Sequence, residues 1–218
     1  LVLLAMGKDH KMFYEAYDDR SDLDGDGLLD IGYRPEERNG LPAIKEYYGY
    51  FDSTLCYKYN DGNGRFEPRA KATNKKCNKG VSQDEWSGDF LNYLTTARID
   101  ALRKVFYGGK RSTDSASETV LERAWIPQDA HSWGKEYTSE AVNGYKISDY
   151  APLKAPTGNT RHIFANTSLH CAPTMKMKGN DGLDLGNQAA NDPACQAGLK
   201  DQPLLRVLND SKYRVWDW

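Results

Sequence analysis

Hydrophobic positions are gathered into a few segments of this chain, and the spacing inside each one decides what it can become. Leu1 to Gly7 is a continuous apolar run closed by glycine, the pattern of a strand buried on both faces. Between Asp89 and Tyr107 the spacing becomes helical: at 100° per residue, Leu91, Leu94, Ile99, Leu102, Val105 and Phe106 fall within an arc of about 140°. Ser87 or Asp89 can cap its start, and Gly108-Gly109 can end it. Arg98 lies inside the same arc, so burying that face buries a guanidinium, which calls for a carboxylate or several carbonyls. Asp129 and Glu122 are the candidate acceptors of such a structural ion pair; the alternative is a side chain that snorkels to solvent.

The remaining segments give weaker patterns. Ala116 to Trp125 reads as a second helix, with Thr113 or Asp114 as its cap and Pro127 as its stop. Tyr47-Tyr48-Gly49-Tyr50-Phe51 and Cys56-Tyr57-Lys58-Tyr59 read as short strands around turns. Beyond His131 the apolar islands at Ile147, at Ile163-Phe164-Ala165 and from Leu204 to Leu208 stand between Gly, Asn and Pro, so loops are expected to dominate. The closing Tyr213 to Trp218 alternates like a strand cut short, and the chain opens inside an apolar run, so a piece of a larger protein is expected. The organisation read from these patterns is a single loop-rich domain or fragment over residues 1–218. It comprises a core strand 1–7, an Asp/Tyr-rich insertion 14–80 that lacks core aliphatics, a core helix 89–107 and a loop-rich remainder 110–218.

Composition sharpens this. Leu, Ile, Val and Phe supply 39 of 218 residues, a thin aliphatic supply, yet the net charge is only −2 and there are 25 aromatic residues, so the chain folds rather than staying disordered. The balance of 29 basic against 31 acidic residues gives no field for nucleic acid and no polybasic run for a membrane surface. No apolar stretch approaches the roughly 20 residues of a spanning helix. Four cysteines without a C-x-x-C pair leave disulfides or buried thiols. Of the three possible pairings, neighbours Cys56 with Cys77 and Cys171 with Cys195 close the shortest loops, each stabilising by about 3 kcal/mol and fitting an exported protein.

The sharpest chemical signal is Asp22-Leu23-Asp24-Gly25-Asp26-Gly27-Leu28-Leu29-Asp30. Asp22, Asp24 and Asp26 alternate so that their carboxylates can converge on one hard cation. Gly27 permits the sharp turn, Leu28 can offer its carbonyl, and Asp30 can bind directly or through water. The cofactor expected is therefore Ca2+. Tyr33 stands where an EF-hand has its bidentate Glu, so the loop is of another kind, and further oxygens would come from Asp18, Asp19, Glu36 or Glu37. Asp61 to Glu67 and Asn180 to Asn187 are incomplete copies. Asp129-Ala130-His131-Ser132 lacks a nucleophile elbow, and His10, His131, His162 and His170 lack zinc spacing. The tyrosines from Tyr47 to Tyr59 can stack on sugars or pack around Cys56.

Several of these segments together carry a resemblance: Gly7-Lys-Asp-His-Lys with Tyr14-Glu-Ala-Tyr, Asp22 to Tyr33, Trp86-Ser-Gly-Asp-Phe-Leu-Asn-Tyr through Arg98-Ile-Asp-Ala-Leu-Arg-Lys-Val, and Ile126-Pro-Gln-Asp-Ala-His-Ser-Trp-Gly. The chain resembles the amino-terminal region of PilY-type proteins, the tip adhesins and assembly factors of type IV pili. That resemblance implies an extracellular, pilus-associated, non-catalytic protein supporting pilus biogenesis and surface adhesion, with minor pilins, the pilus tip and the rest of its own chain as partners. It also implies an α/β fold: a partial von Willebrand factor A-like core with long, irregular, disulfide- and calcium-stabilised insertions. Of the serine-containing metal-adhesion motif of that fold, only Asp9 has a counterpart after the first strand, so that metal site is not carried over. The competing reading is an extracellular carbohydrate-binding module or glycoside hydrolase, suggested by the abundant Tyr and Trp.

Overall fold

The helical pattern of residues 89–107 yields two helices, α1 (Gly88–Thr95) and α2 (Arg98–Tyr107), in a computed structural model that describes residues 9–18, 32–38, 40–78, 84–126, 132–168 and 203–208. The single helix expected from the spacing is corrected by a break at Thr96-Ala97, both of which are extended. The cause is non-local. The Ala16 amide donates to the Thr96 carbonyl (2.9 Å) and the Arg98 amide to the Tyr14 carbonyl (3.0 Å), so residues 14–16 pair with 96–98 as a short antiparallel bridge. The Thr95 hydroxyl also donates back to the Leu91 carbonyl (2.8 Å), a contact that bends helices. The outer ends agree with the sequence: the Ser87 hydroxyl caps α1 at the Phe90 amide, and Gly108 closes α2 at φ 82°.

Around these helices lie antiparallel sheets. Strands β1 (Leu55–Asn60), β2 (Arg65–Lys71) and β3 (Trp86–Ser87) form one sheet with β1 central, and β3 runs directly into α1. Where a second helix was expected after Ala116, the chain forms the hairpin β4 (Arg111–Asp114) and β5 (Thr119–Leu121). Ser115, which a helix would use near its start, instead closes the turn by accepting from the Glu118 amide at 3.0 Å. Further on come β6 (Trp133–Tyr137), the one-turn helix α3 (Glu140–Asn143), β7 (His162–Ser168) and β8 (Pro203–Leu208). The last sheet has β7 in the middle, paired antiparallel with both neighbours. Ordered strands thus replace the loops expected there, because β7 is buried along its whole length. Tyr47 to Phe51, read as a strand, is an irregular segment.

The core is built from rings. Tyr33, Tyr47, Tyr57, Trp86, Phe90, Tyr93, Tyr137, Tyr145, Tyr150 and Phe164 pack with Leu91, Leu94 and Ile147. Tyr33 is its hub, with five ring centroids within 4.9 to 5.4 Å: Phe90 (4.9 Å), Tyr47, Tyr145, Tyr150 and Tyr93 (5.4 Å). Each such pair adds about 0.5–1.5 kcal/mol beyond area burial. Three of these tyrosines come from the Asp/Tyr-rich stretch whose lack of aliphatics suggested an insertion; aromatic area fills the place of the missing Leu and Val. Cys56 and Cys77 are joined by a disulfide across 21 positions, a loop closure that stabilises by about 3 kcal/mol. The result is a small α/β domain with antiparallel sheets and few helices. The apolar run 1–7 lies outside the described residues.

Candidate functional site

The acidic stretch from Asp22 to Asp30, including Asp24, Asp26 and Leu28, lies outside the described residues, as do Cys171, Cys195, Asp129, His131 and His170. The chain on both sides of that stretch is described, and both shoulders are anchored on one ring. Before it, Tyr17 sets its ring edge-on to Tyr47 at 4.9 Å and donates its hydroxyl to the Tyr48 carbonyl at 2.6 Å. After it, Tyr33 packs on the same Tyr47 ring at 5.2 Å and donates its hydroxyl to Asp89 Oδ2 at 2.8 Å. Bringing the ends of a loop together in advance removes the entropy of closing it, so the shoulders suit a segment whose oxygens must converge. The Tyr17 carbonyl also receives the ammonium of Lys135, a side chain 7% exposed that lies 5.1 Å from the centre of the Tyr93 ring.

Two polar side chains of α1 hold the neighbouring backbone. Asp89, fully buried, accepts from the Tyr47 amide (2.9 Å) and the Tyr33 hydroxyl and faces the Lys75 ammonium at 3.2 Å. Lys75 reaches it from a left-handed backbone conformation (φ 65°), two residues before Cys77, so the disulfide and this ion pair fasten the same turn onto the core. Asn92 accepts from the Phe51 amide (3.0 Å) and donates to the carbonyls of Tyr47 (2.8 Å) and Phe51 (2.9 Å). Gly49 is required between them, because a Cβ there would stand 2.2 Å from the Thr96 hydroxyl and 2.3 Å from Asn92 Oδ1. Burial pushes the Tyr33 phenol well above its ordinary pKa, and the Asp89 carboxylate pushes the same way.

The buried ion group of α2 is centred on Asp100, and the expectation for Arg98 is corrected. Arg98 is exposed, and its Nε donates to the Glu15 carbonyl at 3.2 Å; Glu122 is taken by Lys110 at 2.8 Å. Once the helix breaks at Ala97, the packed face of α2 is the one that carries Ile99 and Asp100. Asp100 accepts from the Ala124 amide (2.8 Å) and the Tyr50 hydroxyl (3.2 Å) and lies 3.4 Å from Arg103. Burial raises its pKa, opposed by the Ala124 amide and the cations. Burial also lowers Arg123 to about 10, opposed by Asp100. Asp100 gave no sequence signal while the helix was read as continuous; the Thr95-Thr96 pair is the only local mark of the reset.

The remaining candidates are structural. Glu67, in the incomplete copy at 61–67, accepts from Asn60 (3.0 Å), Asn63 (2.8 Å) and Arg65 (3.2 Å), so its carboxylate is held within its own hairpin. Glu36 faces Lys76 at 2.7 Å. Buried His162 on β7 meets the Lys154 carbonyl through Nε2 at 2.7 Å, and exposed His10 sits 3.4 Å from Asp9. Among the described residues no three His, Cys, Asp or Glu side chains are grouped to hold a metal, and no helix is long and apolar enough to cross a membrane.

Comparison with known proteins follows the same residues. The family described as "PilY1 homolog, small alpha/beta domain" matches residues 42–186. A relative from Xylella fastidiosa (strain Temecula1 / ATCC 700964), named type IV pilus biogenesis factor PilY1 homolog, is 46% identical over 217 residues, covering 99% of this chain and 12% of its own length. A second protein of that name and organism is 41% identical over 121 residues, covering 52% of this chain and 9% of its own length. The chain thus spans about an eighth of the length of the first relative. No solved structure matches.

Proposed function

This chain belongs to the PilY1 homolog family, and from that premise we propose that it is a non-catalytic, calcium-stabilised module of a type IV pilus biogenesis factor. The observation that carries the reading is 46% identity across 99% of the chain to a relative named for pilus biogenesis. In this reading the module works outside the cell at the pilus tip, supports assembly together with minor pilins and the rest of its own polypeptide, and contributes to surface adhesion. Ca2+ sits among Asp22, Asp24, Asp26, the Leu28 carbonyl and Asp30, with Tyr17 and Tyr33 holding the ends of that loop on Tyr47. Cys171 and Cys195 form the second disulfide.

A von Willebrand factor A-like core needs parallel strands, and every strand pair among the described residues is antiparallel. Of the tyrosine cluster that suggested a sugar-directed alternative, Tyr47 and Tyr57 are core residues, while Tyr48 and Tyr59 are exposed.

The test replaces, in a piliated strain that depends on the full-length protein, this region by its Asp24→Ala/Asp26→Ala form. The expected result is normal amounts of the protein in calcium-free extracts but loss of sheared surface pili and of attachment. Full piliation and attachment by the variant would contradict the reading.

A further inference from the structure

Breaking the long helix leaves part of its apolar arc without a partner. Val105 is 67% exposed and Phe106 54% exposed, although both fall on the face that the spacing assigned to the core. At 100° per residue, the half-buried Ala101 and Leu102 share with the exposed Val105 and Phe106 an arc of about 140° on α2, roughly opposite the buried Asp100. The pairs 101/105 and 102/106 are two parallel i, i+4 ridges, the rows that pack into the grooves of another helix. Neighbouring hairpin strand β4 is polar and exposed throughout, so it does not cover the stripe.

Charge at the ends of the stripe says what kind of partner fits. Arg98 stands at its amino-terminal end, in phase with Val105, and its Nε donates to the Glu15 carbonyl. At the carboxy-terminal end the Arg111 guanidinium lies against Gly108, within 3.4 Å of where a Cβ would stand, and a half-exposed Asp114 faces it at 3.5 Å. The only acid of α2, Asp100, is buried on the other side. Ten residues separate Arg98 from Gly108, about 15 Å along the axis.

We infer that the Ala101, Leu102, Val105 and Phe106 face of α2 is a docking surface for an amphipathic helix of a partner protein, with apolar residues at its centre and carboxylates at both ends reaching Arg98 and Arg111.

The test uses the intact chain and a fluorescein-labelled synthetic helix with Leu along one face and Glu at both ends, read by anisotropy. Two control peptides carry Lys in place of Glu, or Ser in place of Leu. The expected result is binding of the Glu/Leu peptide at least about tenfold tighter than either control, equivalent to about 1.4 kcal/mol. Val105→Asp/Phe106→Asp abolishes it with an unchanged thermal midpoint, because both side chains are mostly exposed. Arg98→Glu/Arg111→Glu reverses the preference toward the Lys peptide. Equal binding of Glu and Lys peptides, or no binding, overturns the proposal. A concentration-dependent dimer in sedimentation that Val105→Asp/Phe106→Asp removes also overturns it, because the occupant is then a second copy of the chain.

Discussion

The hydroxyl of Tyr33 donates to the carboxylate of Asp89 over 2.8 Å, and both residues are buried. That contact ties the far shoulder of the acidic stretch to the first turn of α1, where Asp89 also holds the Tyr47 amide and faces Lys75. One carboxylate therefore fixes the chain after the acidic stretch, the ring that both shoulders share and the disulfide-linked turn.

Tyr33→Phe keeps the ring contacts and removes only the donor. A hydrogen bond to a charged group contributes about 1.5–3 kcal/mol, so urea unfolding should show a loss of that size. A loss below about 0.5 kcal/mol, the range of an ordinary surface change, would mean that the hydroxyl does not hold Asp89.

The tyrosine core sets the alkaline limit of stability. Burial pushes Tyr17 up to about 12, and it raises Tyr33, Tyr47, Tyr93 and Tyr145 as well. Above the ordinary phenol value of about 10, the folded chain keeps protons that the unfolded chain has released. Stability is then fully present below pH of about 10 and falls as pH rises beyond it. Tyrosinate absorbance should show exposed phenols titrating first and the buried ones appearing in one cooperative step that coincides with loss of circular dichroism. Smooth ionisation of every tyrosine near the ordinary value, with the dichroism retained, would contradict this.

Arg98 separates the sequence reading from the structural one. A buried, carboxylate-paired guanidinium would cost about 3–5 kcal/mol on removal, whereas an exposed one contributes at most about 1. Because Arg98 is exposed and bonded to the Glu15 carbonyl, Arg98→Met should cost less than about 1 kcal/mol in denaturant unfolding. A loss above about 3 would restore the buried pair.

What was legible in the chain was local. The Ser87 cap, the Gly108 stop, the Cys56–Cys77 pairing and the strand at Cys56 to Tyr59 each depend on a few neighbouring residues. The break at Thr96-Ala97 was not legible, since its cause is pairing with residues 14–16, more than eighty positions away. From that one miss follow the wrong phase for Arg98, the overlooked Asp100 and the exposed stripe at Val105 and Phe106. The hairpin at 111–121 is not legible because Thr113 and Asp114 suit a helix cap and a tight turn equally well. The core was underestimated because an aliphatic count does not register Tyr33, Tyr47 and Tyr57, whose rings bury as much area while their hydroxyls bind Asp89, the Arg34 amide and the Asp52 amide.

The proposed calcium site spans Asp22 to Asp30, between shoulders that Tyr17 and Tyr33 hold on the tyrosine core. Isothermal titration of the chelator-treated chain with Ca2+ tests it most directly. Saturable binding at one loop site is expected, removed by Asp24→Ala/Asp26→Ala and weakened by Tyr33→Ala, which removes both the ring contacts and the hydroxyl of the far shoulder. Absence of binding in the parent chain, or binding that survives Asp24→Ala/Asp26→Ala unchanged, would contradict it.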